Sequence, residues 1–582
     1  MRAMGAACVA LALGLSACGG GTSTKTAGGT TGSTTKDAYN AAMGKVFNPS
    51  EKKGGIVKFA DESAPDTLDP GETYYGYSWD FVRVYGRALT MFKPAPGKAS
   101  AELVPDLAES LGVASDGGKT WTYKLRKGVK FEDGTVVKAA DVKYAVLRST
   151  DKATFPNGPA YFEAMLALPK GYKGPYKSKG MNTDSAITTP DDSTIVFHLT
   201  APFAGFDYLA QLPQTIPVPE AKDTGAKYKE HVVSSGPYMF ATYAPDKSYT
   251  LKRNPNWDQA TDPNRKALPD GYDVQLNVNA EDIDNRLISG DLDVAIVGTG
   301  LTTASQSKVL SDPALKARTD NPANARLNYV SINPTVKPLD NIECRKAVEY
   351  AMDRTSYQTA YGGTFGGDLA TNLLPPMIPG YQKFDLFPAG ADNKGDVTKA
   401  KEALTKCGQP NGFATNIAYR NERPKEKATA EAFQQALEKV GIKLTLKGYA
   451  KADYFSSYAG NPPYVKANGL GLALNSWGSD WPDGFGFLSQ IVDSRVIRET
   501  GGSSNTSVRI PEVDKLLDKA VNELDTAKRN ALWGQIDKRV MEEAVIYPGI
   551  VAKGLLMRGK NLTNVFVNES FGYYDYMALG KP

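Results

Sequence analysis

Histidine is nearly absent: the 582 residues contain two, His198 and His231. Histidine-rich metal sites and a HExxH zinc helix are therefore excluded, and a Ser-His-Asp triad would have to use one of that pair. No GxSxG occurs, which argues against a serine hydrolase. Charge of one sign is also lacking. The formal net charge of +4 is small for this length and gives no electrostatic footprint for nucleic acid. Apart from residues 6–15, no stretch approaches eighteen apolar residues, so no mature membrane span is expected. Cysteine is scarce, with four in all. What is abundant is ordinary core material, 41% hydrophobic, which excludes global disorder. Tyrosine (30) outnumbers phenylalanine (21), and a flat ring with a hydroxyl tip suits adaptable recognition surfaces.

The N-terminus reads as a targeting segment. Arg2 precedes an apolar run from Ala6 to Leu15, too short to span a bilayer but suited to a signal h-region. Leu15-Ser16-Ala17-Cys18 resembles the bacterial lipobox, in which cleavage before the cysteine exposes it for lipidation; a plain signal peptide with an incidental cysteine is the alternative. Residues 1–17 are thus expected to be a signal peptide. Cys18 is the expected lipid carrier, and 18–53 a Gly/Thr/Ser tether to the outer face of the cytoplasmic membrane. That face is the cell surface in a monoderm and the periplasmic side in a diderm. Removal of Cys8 with the signal leaves Cys344 and Cys407 in an oxidising compartment, where a disulfide is expected. Two separate buried thiols are the alternative.

The body alternates strands and helices. Residues 120–126 and 194–200 alternate as strands. Asp133-Gly134 marks a hairpin turn, and 138–148 switches to helical spacing with Val142, Ala145 and Val146 on one face. Strand, helix and strand follow at 273–278, 281–289 and 292–297. Asp340 with Glu343 gives a capping-box pattern for the helix of 341–353. Further helices are expected at 397–407, 428–440, 511–522 and 526–543, with a strand at 442–446. The class is mixed α/β. Asp291 and Asp293 lack further ligands at metal spacing and read as solvated carboxylates.

The succession LVPDLAES (103–110), WTYKLRKGVKFEDGT (121–135), ADVKYA (140–145), SGPY (235–238), LKRNPNW (251–257), ISGDLDVA (288–295), RKAVEYAMDR (345–354) and WGSDWPD (477–483) is specific. It resembles the family 5 extracellular solute-binding proteins, the peptide/nickel-type receptors of ABC importers, most of all their oligopeptide- and dipeptide-binding lipoproteins. The resemblance implies a two-lobed periplasmic-binding-protein-like (class II) fold with an extra subdomain inserted in the first lobe. The first lobe would comprise 54–91, 213–322 and 546–582, the subdomain 92–212, and the second lobe 323–545. Crossings near 322 and 545 would form the hinge.

Several roles follow from that resemblance. Asp480, three residues after Trp477, would pair with a peptide's α-amine; the alternative is a brace for the turn Trp481-Pro482-Asp483-Gly484, for which Asp483 is the better candidate. Arg420, with Arg423 nearby, would take a ligand carboxylate, or else be one of two exposed loop charges. The anchoring arginine that some oligopeptide receptors carry three residues before the tryptophan is absent, since Leu474 stands there. Tyr75 and Tyr77, in a stretch that would run along the peptide, would face the cleft, with core packing as the alternative. Gly460 to Tyr464 is a possible rim element. The resemblance implies a monomer that needs no cofactor, performs no chemistry, and meets a permease and ATPase complex. A nickel chelate, an oligosaccharide or another solute would be the alternative ligand, and a sensing lipoprotein without import the alternative role.

Overall fold

The computed structural model describes residues 38–523 and 525–582. The signal segment, Cys18 and the Gly/Thr/Ser run up to residue 37 lie outside the described residues. Among the described residues no helix is long and apolar enough to cross a membrane.

Three sheets organise the body. The first-lobe sheet has five strands in the order Val294–Ala295, Ile56–Ala60, Gly271–Gln275, Ser248–Arg253 and Tyr238–Ala244. The first two pairings are parallel and the other two antiparallel. Alternation sets its inner face: Val57 and Phe59 are buried while Ile56 and Lys58 are exposed. Phe59 meets Phe81 and Tyr576 edge-on at 5.5 and 5.2 Å. The inserted subdomain carries an antiparallel sheet of Val113–Ser115, Thr120–Lys124, Thr194–His198 and Ile187–Asp191. The helix Ala139–Ser149 packs on it with Val142, Ala145 and Val146 buried. Asp133-Gly134 makes a tight turn, but its flanks form one bridge, Lys130 to Val136, and no hairpin ladder.

The second-lobe sheet has six strands in the order Gly367–Leu369, Ile546–Lys553, Ala323–Ile332, Leu472–Gly478, Ala414–Arg420 and Lys443–Tyr449. It is covered on both faces, so both parities along its central strand are apolar. Leu327 and Tyr329 pack with the helices Gly484–Val492, Pro511–Val521 and Thr526–Glu542. Val330 and Ile332 pack with Ile342–Ala351, Val397–Lys406 and Pro424–Glu438. Cys344 and Cys407 are bonded across two of these helices, with Cα atoms 5.4 Å apart.

Three expectations need correction. The helix Ile342–Ala351 is capped by Asn341, whose side chain accepts from the Glu343 amide, and not by Asp340. An amide oxygen caps as well as a carboxylate, so either neighbour fits the signal. The strand Ile546–Lys553 belongs to the second-lobe sheet, pairing with Ala323–Ile332, so the second crossing falls after Lys553 and not at 545. The reason is visible in burial: every residue from Ile546 to Ala552 is buried, as a strand inside a two-faced core must be. Finally, the tether ends before 53. Ala41, Ala42 and Phe47 are buried, and Phe47 exchanges backbone hydrogen bonds with Val565 at 2.7 and 3.1 Å. Composition explains it: the Gly/Thr/Ser run stops near residue 35, and AYNAAMGKVF has apolar groups to bury.

This strap lies on the crossing. Thr319–Asp320 and Leu556–Met557 pair antiparallel where the chain passes between lobes. The Asn40 amide donates to the Thr319 carbonyl and the Ala42 amide to Asp320 Oδ1, both at 2.9 Å. Arg558 pairs with Asp320, and its guanidinium lies 4.6 Å above the Phe47 ring.

One buried group in the second lobe works against the fold. Glu349 is 2% exposed, and its Oε1 meets no hydrogen-bond partner among the described residues. Burial pushes its carboxyl well above the usual range, which Arg354 opposes and Asp385 reinforces. A carboxyl whose folded pKa is raised favours folding when protonated and opposes it when ionised. Glu349→Gln is therefore expected to stabilise the protein by about 1–3 kcal/mol at pH 8. The gain shrinks as pH falls, because protonated Glu comes to match Gln. Denaturant titrations at pH 5 and pH 8 check it; a gain that grows in acid contradicts the assignment.

Candidate functional site

A cavity of about 540 Å³ lies between the lobes. Tyr74, Tyr75 and Tyr573 line it from the first lobe, and Arg326, Trp477 and Asp480 from the second. Asp480 reaches it because the strand Leu472–Gly478 ends two residues earlier, with the Ser479 amide still bonded to the Ala325 carbonyl at 3.0 Å. The carboxylate is enclosed by the lobes but open to the cavity. Its Oδ2 accepts from Tyr161 Oη at 2.6 Å and Tyr74 Oη at 2.8 Å. Burial pushes its pKa up to about 7, against the pull of the two phenols and of Arg326. No lysine or arginine forms an ion pair with it among the described residues.

The turn after Asp480 is braced by its neighbour. Asp483 caps the helix Gly484–Val492, accepting from the Gly486 amide at 2.8 Å and from Trp481 Nε1 at 3.0 Å. Trp481 is fully buried in the inserted subdomain, stacked on Tyr208 with centroids 5.8 Å apart and tilted on Tyr161 at 4.9 Å. This plug fixes the backbone on one side of Asp480. Trp477 lines the cavity, donates to the Phe487 carbonyl at 2.8 Å, and meets Tyr74 edge-on at 5.8 Å.

Tyr75 and Tyr77 stack at 5.5 Å, and the Lys451 ammonium lies 5.6 Å from each ring. Both line the cavity, Tyr75 half-buried and Tyr77 3% exposed, with the Tyr77 ring also packed in the core. Gly76–Val82 is a helix, so Tyr77 offers no extended backbone to a ligand. Lys451 itself bonds Ser63 and Tyr77 Oη and lies 3.9 Å from Asp61, joining second lobe to first.

Arg420 requires correction. It borders the cavity, but its guanidinium is 1% exposed and held by Glu426, with Nε to Oε2 at 2.9 Å and Nη2 on Oε1. Arg423 also reaches Glu426, at 3.3 Å. The first turn of the helix Pro424–Glu438 brings Glu426 back over the strand end, so the Nε–Nη2 edge of Arg420 is already taken by a carboxylate of the protein. Among the described residues two cations of the cavity lining form no ion pair: Lys425, which donates to the Thr299 carbonyl at 3.1 Å, and Arg326, whose hydrogen bonds go to Ser476 Oγ at 3.3 Å and Tyr573 Oη at 3.2 Å.

Three participants escaped the sequence reading. Tyr74 sits beside the tyrosines singled out, and its role depended on where the helix starts. Tyr161 had no signal, since it lies 319 positions from Asp480 in the subdomain. Arg326 stands near the start of the strand Ala323–Ile332, which has no alternation to mark it because both its faces are covered. The residues of the helix Pro462–Ala467 and of Gly460 and Asn461 are not among those lining the cavity. Asp293 accepts from the Lys58 amide and from Lys581, and Asp291 from Ser289. Among the described residues no group of three or more His, Cys, Asp or Glu could hold a metal.

Known proteins place this geometry. The chain matches the bacterial extracellular solute-binding proteins, family 5 middle region, over residues 102–498. It is 27% identical, over 84% of this chain and 86% of that one, to a probable D,D-dipeptide-binding periplasmic protein of Escherichia coli K12. It is 25% identical to an oligopeptide-binding protein of Bacillus subtilis 168, over 89% and 92% of the two chains. Among solved structures, clavulanic acid biosynthesis oligopeptide binding protein 2 superposes with a TM-score of 0.86 and 41% identity, covering 94% of this chain and 98% of that one. The interlobe cavity, the inserted subdomain and this match over most of the sequence establish that the chain belongs to the family 5 bacterial extracellular solute-binding proteins.

Proposed function

We propose that the chain is the receptor of an ABC importer: it binds peptides by their free amine between two closing lobes and delivers them to the permease and ATPase. It acts as a monomer held to the outer face of the membrane by lipid on Cys18, and it binds reversibly without chemistry. The observation that carries this reading is Asp480, a carboxylate enclosed with two phenol donors and, among the described residues, no ion-pair partner. A carboxylate withdrawn from water is costly unless an opposite charge meets it. A ligand ammonium supplies that charge, with the Tyr74 and Tyr161 hydroxyls already fixing the oxygen it approaches. The names of the relatives agree with a peptide ligand. The lobes rotate about the paired crossings at Thr319–Asp320 and Leu556–Met557.

Native mass spectrometry of the purified protein is expected to release co-purified peptides, and solution scattering to show compaction when one is added to stripped protein. Release of a metal chelate or an oligosaccharide in place of peptides overturns the ligand assignment. In cells, Cys18→Ser is expected to free the protein from the membrane; unchanged retention removes the lipid from the reading.

A further inference from the structure

Arg326 is set into the cleft in an unusual way. Its Cα lies across from Gly478 in the sheet register, two residues before Asp480. A Cβ at Gly478 would come within 3.0 Å of its Nη2, and one at Gly76 of the first lobe within 3.8 Å. The guanidinium thus lies beside bare backbone from both lobes: an added Cβ would press on it at Gly478 and only touch it at Gly76. Its two hydrogen bonds are long and go to neutral hydroxyls. The other cleft arginines are spoken for, both by Glu426. The charge that Arg326 does sense is Asp480, whose pKa it lowers. An ammonium arriving at Asp480 cancels that charge and leaves an enclosed guanidinium without a counter-ion. The cost falls away when the ligand brings its own anion, because a carboxylate matches the guanidinium fork.

We propose that Arg326 receives a carboxylate carried by the same residue of the ligand as the amine bound at Asp480, so that the cleft selects a zwitterionic head group. Two ligand types carry it: a free amino acid, through its α-carboxylate, and a peptide whose first residue is Asp or Glu, through its side chain. This rests on the amine-anchor reading of Asp480.

The test is titration calorimetry on the intact protein, stripped of ligand, with two matched pairs. One pair is L-leucine and L-leucinamide; the other is Asp-Ala-Ala and Asn-Ala-Ala. The native protein is expected to prefer the carboxylate member of at least one pair by about ten- to a hundredfold, and the preferring pair identifies the source. Arg326→Gln is expected to erase that preference, weakening the carboxylate member by about ten- to a hundredfold more than the neutral one. Gly478→Ala keeps the charge but crowds its seat, and is expected to reduce the same preference. Equal binding within both pairs by the native protein overturns the proposal. So does a preference that survives Arg326→Gln, or equal weakening of both members, which would make Arg326 a brace for Tyr573. N-acetyl-Asp-Ala-Ala separates the two readings. If it binds as well as Asp-Ala-Ala, the amine anchor fails and this inference with it; if it binds poorly while both pairs are indifferent to the carboxylate, the inference alone fails.

Discussion

Asp480→Ala is expected to weaken free-amine peptides by about two to three orders of magnitude, the effect of about 3–5 kcal/mol that follows when one partner of an enclosed ion pair is removed. N-acetylated peptides should bind poorly to the native protein and change little in the variant. Asp480→Asn keeps the shape and the phenol contacts and should lose nearly as much, which separates charge from packing. The pH dependence has a definite sign. With its pKa near 7, Asp480 is mostly protonated in acid, and only the ionised form pairs with an ammonium. Affinity should therefore fall as pH drops below 7, by up to about tenfold per unit, with proton release on binding. Asp480→Asn should be flat over the same range. Calorimetry between pH 5 and pH 8 in buffers of different ionisation enthalpy measures both. Equal affinity for free and acetylated peptides would sink the amine anchor and leave Asp480 as a group that holds Tyr74 and Tyr161 across the lobes.

The Cys344–Cys407 bond carries the second large effect. It closes a segment with a sequence separation of 63, for which chain entropy gives about 4 kcal/mol. Cys344→Ser/Cys407→Ser is expected to lower the stability of the second lobe by about that amount, read by denaturant titration of the ligand-free protein. Neither cysteine lines the cavity, so peptide affinity of the folded fraction should stay within about threefold of native. A double variant as stable as the native protein would show that the two helices hold their register through packing alone.

Much of this architecture was legible because the rules that set it are local. Alternation marks Thr120–Lys124 and Thr194–His198 to within two residues, and helical spacing finds Ala139–Ser149 with its buried face. Asp480 is singled out only through the family resemblance of WGSDWPD, whereas the turn role of its neighbour Asp483 follows from the local sequence. What was not legible is relational. Arg420 looks like a free fork until the next helix folds Glu426 over it. Tyr161 has no mark of its own; it matters because Trp481 inserts beside it. The second crossing was placed at the start of Ile546–Lys553 because a buried strand looks the same whichever lobe owns it. Only pairing with Ala323–Ile332 decides.

The N-terminal strap has a mechanical consequence. Asn40 and Ala42 are fastened to Thr319 and Asp320, one of the two strands that pair at the crossing and that we propose as the axis of closure. In any rotation, points beside the axis travel least. A leash fixed there would keep its length and tension in the proposed rotation, as a gate hung from its post leaves the post unmoved. On the proposed reading, a receptor held by its N-terminus would open and shut without working against its mooring, and the mooring would report nothing of whether the gate is shut.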